Sequence, residues 1–178
     1  MTKFLGNING DYWVGSKGSS ELSHGISILP RSTLGQLEHT AGVSKVTAFV
    51  GRQVTFNING SEAHLYLMGQ GQDKVVRPFK IGDGTDRLDQ GKVIIDVAFA
   101  QKENLKVGDV LSVQGTNLTV SGISRGGNLL VYTYAITTET DARKILNAQD
   151  YSNYFIIKTS NSAAGVAAIK ANFPNLEV

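Results

Sequence analysis

The chain has no cysteine, only three prolines and no long hydrophobic run, and each shortage removes a class of explanation. Without cysteine there are no disulfides and no thiolate metal sites, a composition compatible with an oxidising exterior without demanding one. Apolar residues never approach the roughly 18 in a row that a membrane-spanning helix needs. Met1-Thr2-Lys3 is not followed by the apolar core of a signal peptide. Charge of one sign is scarce as well: 17 Lys and Arg against 15 Asp and Glu leave a formal net charge of +2. No basic run of the kind that neutralises successive phosphates is present, so nucleic acid is not an expected partner. What remains is 178 residues, 41% hydrophobic and rich in glycine (20 residues). That describes a folded protein tilted toward strands and turns, long enough for one good core or two small ones sharing a boundary.

Lys92 to Ile123 reads without interruption as strand, short helix, turn and hairpin. Val93, Ile94, Ile95 and Val97 make a nearly continuous apolar run, and Asp96 is placed to accept a backbone N–H at the start of a helical turn over Val97 to Glu103. Leu105 and Val107 lead into Gly108-Asp109, a turn whose glycine tolerates positive φ. Beyond it Val110, Ser112 and Gln114 alternate with Leu111 and Val113, and Leu118, Val120 and Gly122 with Thr119 and Ser121. This period of two predicts a half-buried hairpin, turning at Gln114 to Asn117.

The two ends of the chain repeat a strand and helix order. Tyr12, Trp13 and Val14 predict an opening strand, followed by a Gly/Ser-rich loop. Pro30 suits the first turn of a helix whose Leu34, Leu37 and Ala41 share a face, with Gly42 ending it. Val43 to Phe56 supplies strand material, and Asn59-Gly60 is a tight-turn dipeptide before a strand over His64 to Met68. Thr138 to Asp141 opens a helix with capping-box spacing and an apolar face of Ala142, Ile145 and Leu146. Tyr154 to Lys158 predicts a strand, Ser160-Asn161-Ser162 offers caps to a helix bearing Val166, Ile169 and Phe173, and Pro174 stops it before a last strand at Leu176. The fold class expected is α+β: a split βαβ subdomain from both ends, residues 1–57 plus 151–178, holding a mostly β insertion at 58–150.

The segment 92–123 resembles the extracytoplasmic core domain of the MacB/FtsX-like ABC transporter permeases. Val93 to Asp96, Phe99, Ala100, Leu105, Val107 to Asp109 and Leu118 to Ile123 carry the match. Ile28 to Pro30, Leu34, Leu37, Ala41 to Phe49 and Asp11 to Val14 extend it upstream, while Lys80-Ile81-Gly82-Asp83 departs where the family usually reads glycine followed by arginine. The resemblance implies a porter-like subdomain from both ends and an inserted Sabre-like one, held between the first and second membrane helices. The chain is then one domain of a longer protein, with Met1 an introduced start. It further implies a non-enzymatic domain on the periplasmic or extracellular side, with no cofactor of its own because ATP binds a separate cytoplasmic ATPase domain or subunit. A second permease copy, and an accessory protein or cargo outside the membrane, are the other partners implied. The domain would couple ATP-driven helix motion to export or release of a peptide, antibiotic, lipid or lipoprotein. With both ends in one layer, strands joined to the flanking helices would tilt as a unit.

Several motifs invite chemistry. Gly122-Ile123-Ser124-Arg125-Gly126 has the G-x-S-x-G pattern of a nucleophile elbow, yet a turn and strand follow where a helix is required, and His24, His39 and His64 all precede the serine. Ser124 is expected in a loop after a strand. The three histidines form no i, i+4 pair, so solvent-facing positions are expected for them. Asp83, Asp86 and Asp89 could gather oxygens around a hard cation but lack the EF-hand spacing and its closing Glu; turn roles suit them better. The glycine-rich stretches beginning at Gly69 and Gly82 have Lys74 and Arg87 where a dinucleotide fingerprint needs its third glycine. Tyr132 and Tyr134 alternate on a strand after the turn at Arg125, and these three residues are the candidate surface for a substrate or partner, with core packing the alternative for the tyrosines. Two rival functions stand beside the permease reading: a stand-alone ligand-binding module, which needs a concave pocket with converging polar groups, and a serine hydrolase, which needs a histidine beside Ser124.

Overall fold

The computed structural model describes residues 8–19, 27–126 and 133–178. Along the chain come β1 (Tyr12–Ser16), β2 (Leu29–Pro30), α1 (Thr33–Glu38), β3 (Val43–Phe49), β4 (Gly51–Ile58), β5 (Ser61–Gln70) and β6 (Lys80–Gly84). They are followed by β7 (Lys92–Asp96), α2 (Val97–Lys102), β8 (Val110–Val113), β9 (Thr116–Arg125), β10 (Tyr134–Thr138) and α3 (Glu139–Leu146). The last elements are β11 (Tyr151–Ser152), β12 (Tyr154–Thr159), α4 (Ser162–Asn172) and β13 (Leu176–Glu177). Local chemistry explains most of the boundaries. Asp96 accepts from the Ala98 N–H at 2.7 Å to start α2, the Thr138 hydroxyl accepts from Asp141 to start α3, and Asn161 accepts from Ala164 to start α4. Asn59 and Gly60 both have positive φ (51° and 81°), as do Gln114 and Gly115 (49° and 76°), so both two-residue hairpin loops have the handedness that matches strand twist.

The chain forms two units. The smaller, Gly10–Val50 with Ala148–Val178, holds an antiparallel sheet in the order β13-β1-β12-β3. With α1 between β1 and β3, and α4 between β12 and β13, this is the split β-α-β-β-α-β arrangement of ferredoxin-like sheets. Val14, Val46, Phe155 and Ile157 from the strands pack with Leu37 of α1 and Ile169 of α4 into one buried cluster. A two-residue ladder pairs β2 with β11.

The larger unit, Gly51–Asn147 with Ile8 and Asn9, is built on a mixed sheet in the order β4-β5-β10-β7-β9-β6, with β8 also pairing β9. The pairs β5–β10 and β7–β9 are parallel. β4 belongs to this unit, whereas the sequence pattern grouped residues up to 57 with the chain ends. Ile8 and Asn9 belong to it too, whereas the first and last strands, β1 and β13, are neighbours in the sheet of the smaller unit.

Three local expectations are corrected. Pro30 does not open α1: it lies in β2 opposite Tyr151, where a residue without an N–H is tolerated on a short ladder, and the helix starts at Thr33. The helix also ends at Glu38 with His39 as its cap, ahead of Gly42, whose φ of +80° instead turns the chain into β3. Ser124 lies within β9.

Candidate functional site

Three strands of the larger unit bring Asp96, Ser124 and Tyr134 together. β7 ends at Asp96, directly beside Ser124 in the parallel β7–β9 register, and β10 flanks β7 on its other side. All three side chains are buried, Ser124 and Tyr134 completely. The Tyr134 hydroxyl donates to Ser124 Oγ at 2.8 Å and accepts from the Phe79 backbone N–H. The Phe79 ring also lies against the Tyr134 ring, with centroids 6.0 Å apart. Burial, aided by the nearby Asp96 charge and opposed by its hydrogen bonds to Ser124 and Phe79, pushes the Tyr134 phenol up to about 12, so it stays a proton donor at any physiological pH. Burial likewise raises the Asp96 carboxyl, against the opposing pull of the Ala98 and Phe99 N–H groups.

The sign for Asp96 follows directly. A folded-state pKa above the unfolded one contributes stability that is fully present below the unfolded value near pH 4 and is lost as pH rises through the folded value. Asp96→Asn keeps a side-chain oxygen for the cap and removes the buried charge. Its stability relative to the parent chain is expected to improve as pH rises from about 4 to 7, measured by urea titrations across that range. Asp96→Ala should instead lose about 1 kcal/mol from the missing cap.

On the solvent side of β9, Arg125 bonds Asp83 Oδ2 at 3.0 Å, both side chains being more than half exposed. Its stem runs over Gly82, where a Cβ would come within 2.0 Å of Nε, so a larger residue there would push the flexible arginine side chain aside. Arg125→Ala is expected to change the unfolding free energy by less than about 1 kcal/mol, as for other exposed ion pairs. A larger effect on any activity of the parent protein would therefore report contact with a partner.

The tyrosine expected on the surface is a correction: Tyr134 is fully buried because its strand is central in the sheet, between β5 and β7, and its hydroxyl is satisfied inside. Tyr132 and His24 lie outside the described residues. The G-x-S-x-G stretch runs along β9 with no elbow, and its serine is occupied by Tyr134. His39 bonds the Gly35 carbonyl, and His64 lies between Thr55 and Glu62. Asp83 is bonded to Arg125 and Asp89 to Arg87, and among the described residues no group of three or more His, Asp or Glu side chains could hold a metal ion. Sequence reasoning found Asp96 as a cap but not its link to Ser124 and Tyr134. That link depends on which strands become neighbours, and only the period-two pattern of β9, which sends Gly122 and Ser124 to the same side, hinted at it.

The profile of the MacB-like periplasmic core domain matches residues 5–175. The chain belongs to that family. This MacB-like domain is the extracytoplasmic part of an ABC transporter permease, a class of membrane protein that works with an ATPase. Its fold is similar to that of the extracellular domain of the ABC-type transporter YknZ from Gram-positive bacteria: TM-score 0.65, 16% identity, covering 93% of this chain and 97% of the other. It is also similar to the periplasmic region of MacB from Actinobacillus actinomycetemcomitans: TM-score 0.63, 15% identity, covering 99% and 91%. None of the curated proteins matches the sequence. The α+β class expected for the MacB-like domain is the class found, with sheets from both ends and middle of the chain. Among its described residues no helix is long and apolar enough to cross a membrane.

Proposed function

We propose that this domain transmits ATP-driven motion of membrane helices to a substrate outside the membrane. The observation that carries the reading is the family match along nearly the whole chain. The nucleotide would be bound by a separate ATPase domain or subunit on the cytoplasmic side, and the domain itself would take no cofactor. A second permease copy would face it across the pair. An accessory protein or the cargo would meet its outer surface, where Arg125 is the best-placed exposed side chain among those singled out from the sequence. The cargo classes that suit such a system are peptides, antibiotics, lipids and lipoproteins. Satisfied sheets suit a transmitting role: no buried side-chain polar atom among the described residues lacks a partner.

The test is a protease site placed in the full permease between the preceding membrane helix and residue 8, with ATP-driven transport measured in vesicles before and after cleavage. Transport should be lost while the domain's circular dichroism is unchanged. Undiminished transport after complete cleavage would overturn the coupling.

A further inference from the structure

An insertion joins its host through two chain crossings, but this chain crosses between its units three times: at Asn9–Gly10, Val50–Gly51 and Asn147–Ala148. The first crossing exists because the stretch before β1 is held by the larger unit. Ile8 forms an antiparallel bridge with Val76, and the Asn9 N–H donates to the Val75 carbonyl at 3.3 Å. Ile8 is buried, and with Met68, Val76, Arg77, Phe79, Tyr134 and Ile136 it lines one mostly apolar seat.

The loop that receives this stretch is itself fastened to the sheet. Gln70 Nε2 donates to the Val76 carbonyl at 2.6 Å, Asp73 Oδ1 accepts from the Val75 N–H, and Phe79 reaches the Tyr134 hydroxyl through its backbone and the Tyr134 ring through its own. A continuous set of contacts therefore runs from Ile8 through Val76 and Phe79 to the centre of the sheet. Its two ends differ in strength. Tyr134 sits in a strand paired on both sides, whereas Ile8 joins its neighbour through an isolated bridge outside the named strands, closed among the described residues by the 3.3 Å bond from Asn9 to Val75. Local openings start where backbone pairing and buried contacts are fewest.

We propose that Ile8–Asn9 is a releasable strap: the chain entering the domain pulls first on the larger unit through the Val75–Val76 bridge, and the strap lets go, uncovering its apolar seat, before any strand of the sheet separates. This rests on the force-transmitting reading of the domain and names where the force enters. The C-terminal flank leaves from β13 in the smaller unit, so drawing the flanks apart loads two different units.

The absence of native cysteine in the chain makes the test direct. Ile8→Cys with Val76→Cys places a cysteine at each side of the bridge. A second pair, Thr55→Cys with His64→Cys, directly opposed in β4–β5, serves as the control. In the purified 178-residue chain, the Ile8–Val76 disulfide should form under mild oxidation and slow hydrogen exchange at Asn9, Val75, Val76, Arg77 and Phe79 by at least tenfold, with exchange in β5 and β10 unchanged. In the full permease, oxidation of this pair should cut ATP-driven transport severalfold and reductant should restore it, while the control pair transports normally in both states. Failure of the disulfide to form, or exchange at Val75, Val76, Arg77 and Phe79 already as slow as in β10 before oxidation, would overturn the strap. So would full transport with the strap locked. Absence of transport in the reduced permease would count against the function proposed above, independently of the exchange result.

Discussion

Tyr134→Ala is expected to lower the unfolding free energy of the domain by about 3–5 kcal/mol, the range for removing a large buried ring. The site offers little scope for collapse. Tyr134 lies in β10 between two paired strands, and its ring is covered by Phe79. Tyr134→Phe separates the hydroxyl from the ring. It leaves the Ser124 hydroxyl and the Phe79 N–H each without their partner inside the protein, and should cost about 1–3 kcal/mol. Urea titration followed by far-ultraviolet circular dichroism reads both. At a slope of about 2 kcal/mol/M the alanine variant should lose roughly 1.5–2.5 M in midpoint. Equal midpoints for Phe and Tyr would show that the buried hydroxyl contributes nothing net. Adding Ser124→Ala to Tyr134→Phe removes both members of that hydrogen bond and should recover part of the loss, because an apolar pair costs less than one unsatisfied group.

The second large effect lies in the smaller unit. Gly42 has a φ of +80°, and a Cβ there would come within 2.6 Å of the Gly165 nitrogen and 2.9 Å of its Cα, with the Asn161 carbonyl close behind. The turn into β3 thus presses backbone to backbone on the start of α4, and the Gly42 carbonyl accepts from the Ser160 N–H. Gly42→Ala adds left-handed strain of about 1–2 kcal/mol to a crowding cost of about 1–3 kcal/mol, because the atoms in the way are main chain and cannot swing aside. Gly60 is the natural comparison. Its φ is +81°, but a Cβ there would meet nothing within 4 Å, so Gly60→Ala should show the strain alone. The difference between the two variants measures the close approach. Trp13, the sole tryptophan in the chain, lies in this unit, and its edge contacts with Phe49 and Tyr154 make its fluorescence the convenient probe. Identical losses in the two variants would mean that α4 shifts freely to accommodate the methyl.

Elements whose signals are local were legible in the sequence. The caps at Asp96 and Thr138, the turn at Asn59-Gly60 and the alternation along β8 and β9 each depend on a few adjacent residues and are where the pattern placed them; of the caps offered by Ser160 to Ser162 the structure uses Asn161, and the turn read over Gln114 to Asn117 is confined to Gln114-Gly115. Pro30 failed because its missing N–H suits a helix start and a short ladder equally, and the choice between them was made by Tyr151, distant in sequence. The attachment of β4 to β5 follows from the Asn59-Gly60 hairpin, whose eight-residue first strand carries β4 into the larger unit. Tyr134 was misplaced for a related reason. Alternation tells which residues share a side of a strand, but not whether the strand lies at an edge or in the middle of a sheet. The family resemblance was legible because it rests on the order of short local signals between 92 and 123, the part of the chain least dependent on distant partners.

The sheet order β13-β1-β12-β3 carries a consequence for synthesis. Strands β4 to β10 are all made before residue 148, so the larger unit can reach its pairing while the rest of the chain is still emerging. β1 and β3 have no such opportunity: each waits for β12, and Tyr12 pairs with Ile157. The first half of the smaller unit must therefore persist with its strand edges unpaired until β12 has been made, paying the closure entropy of a very long loop. Its assembly should be the slow phase of folding, and the interval before β12 appears is when this protein is most exposed to aggregation and most dependent on chaperones.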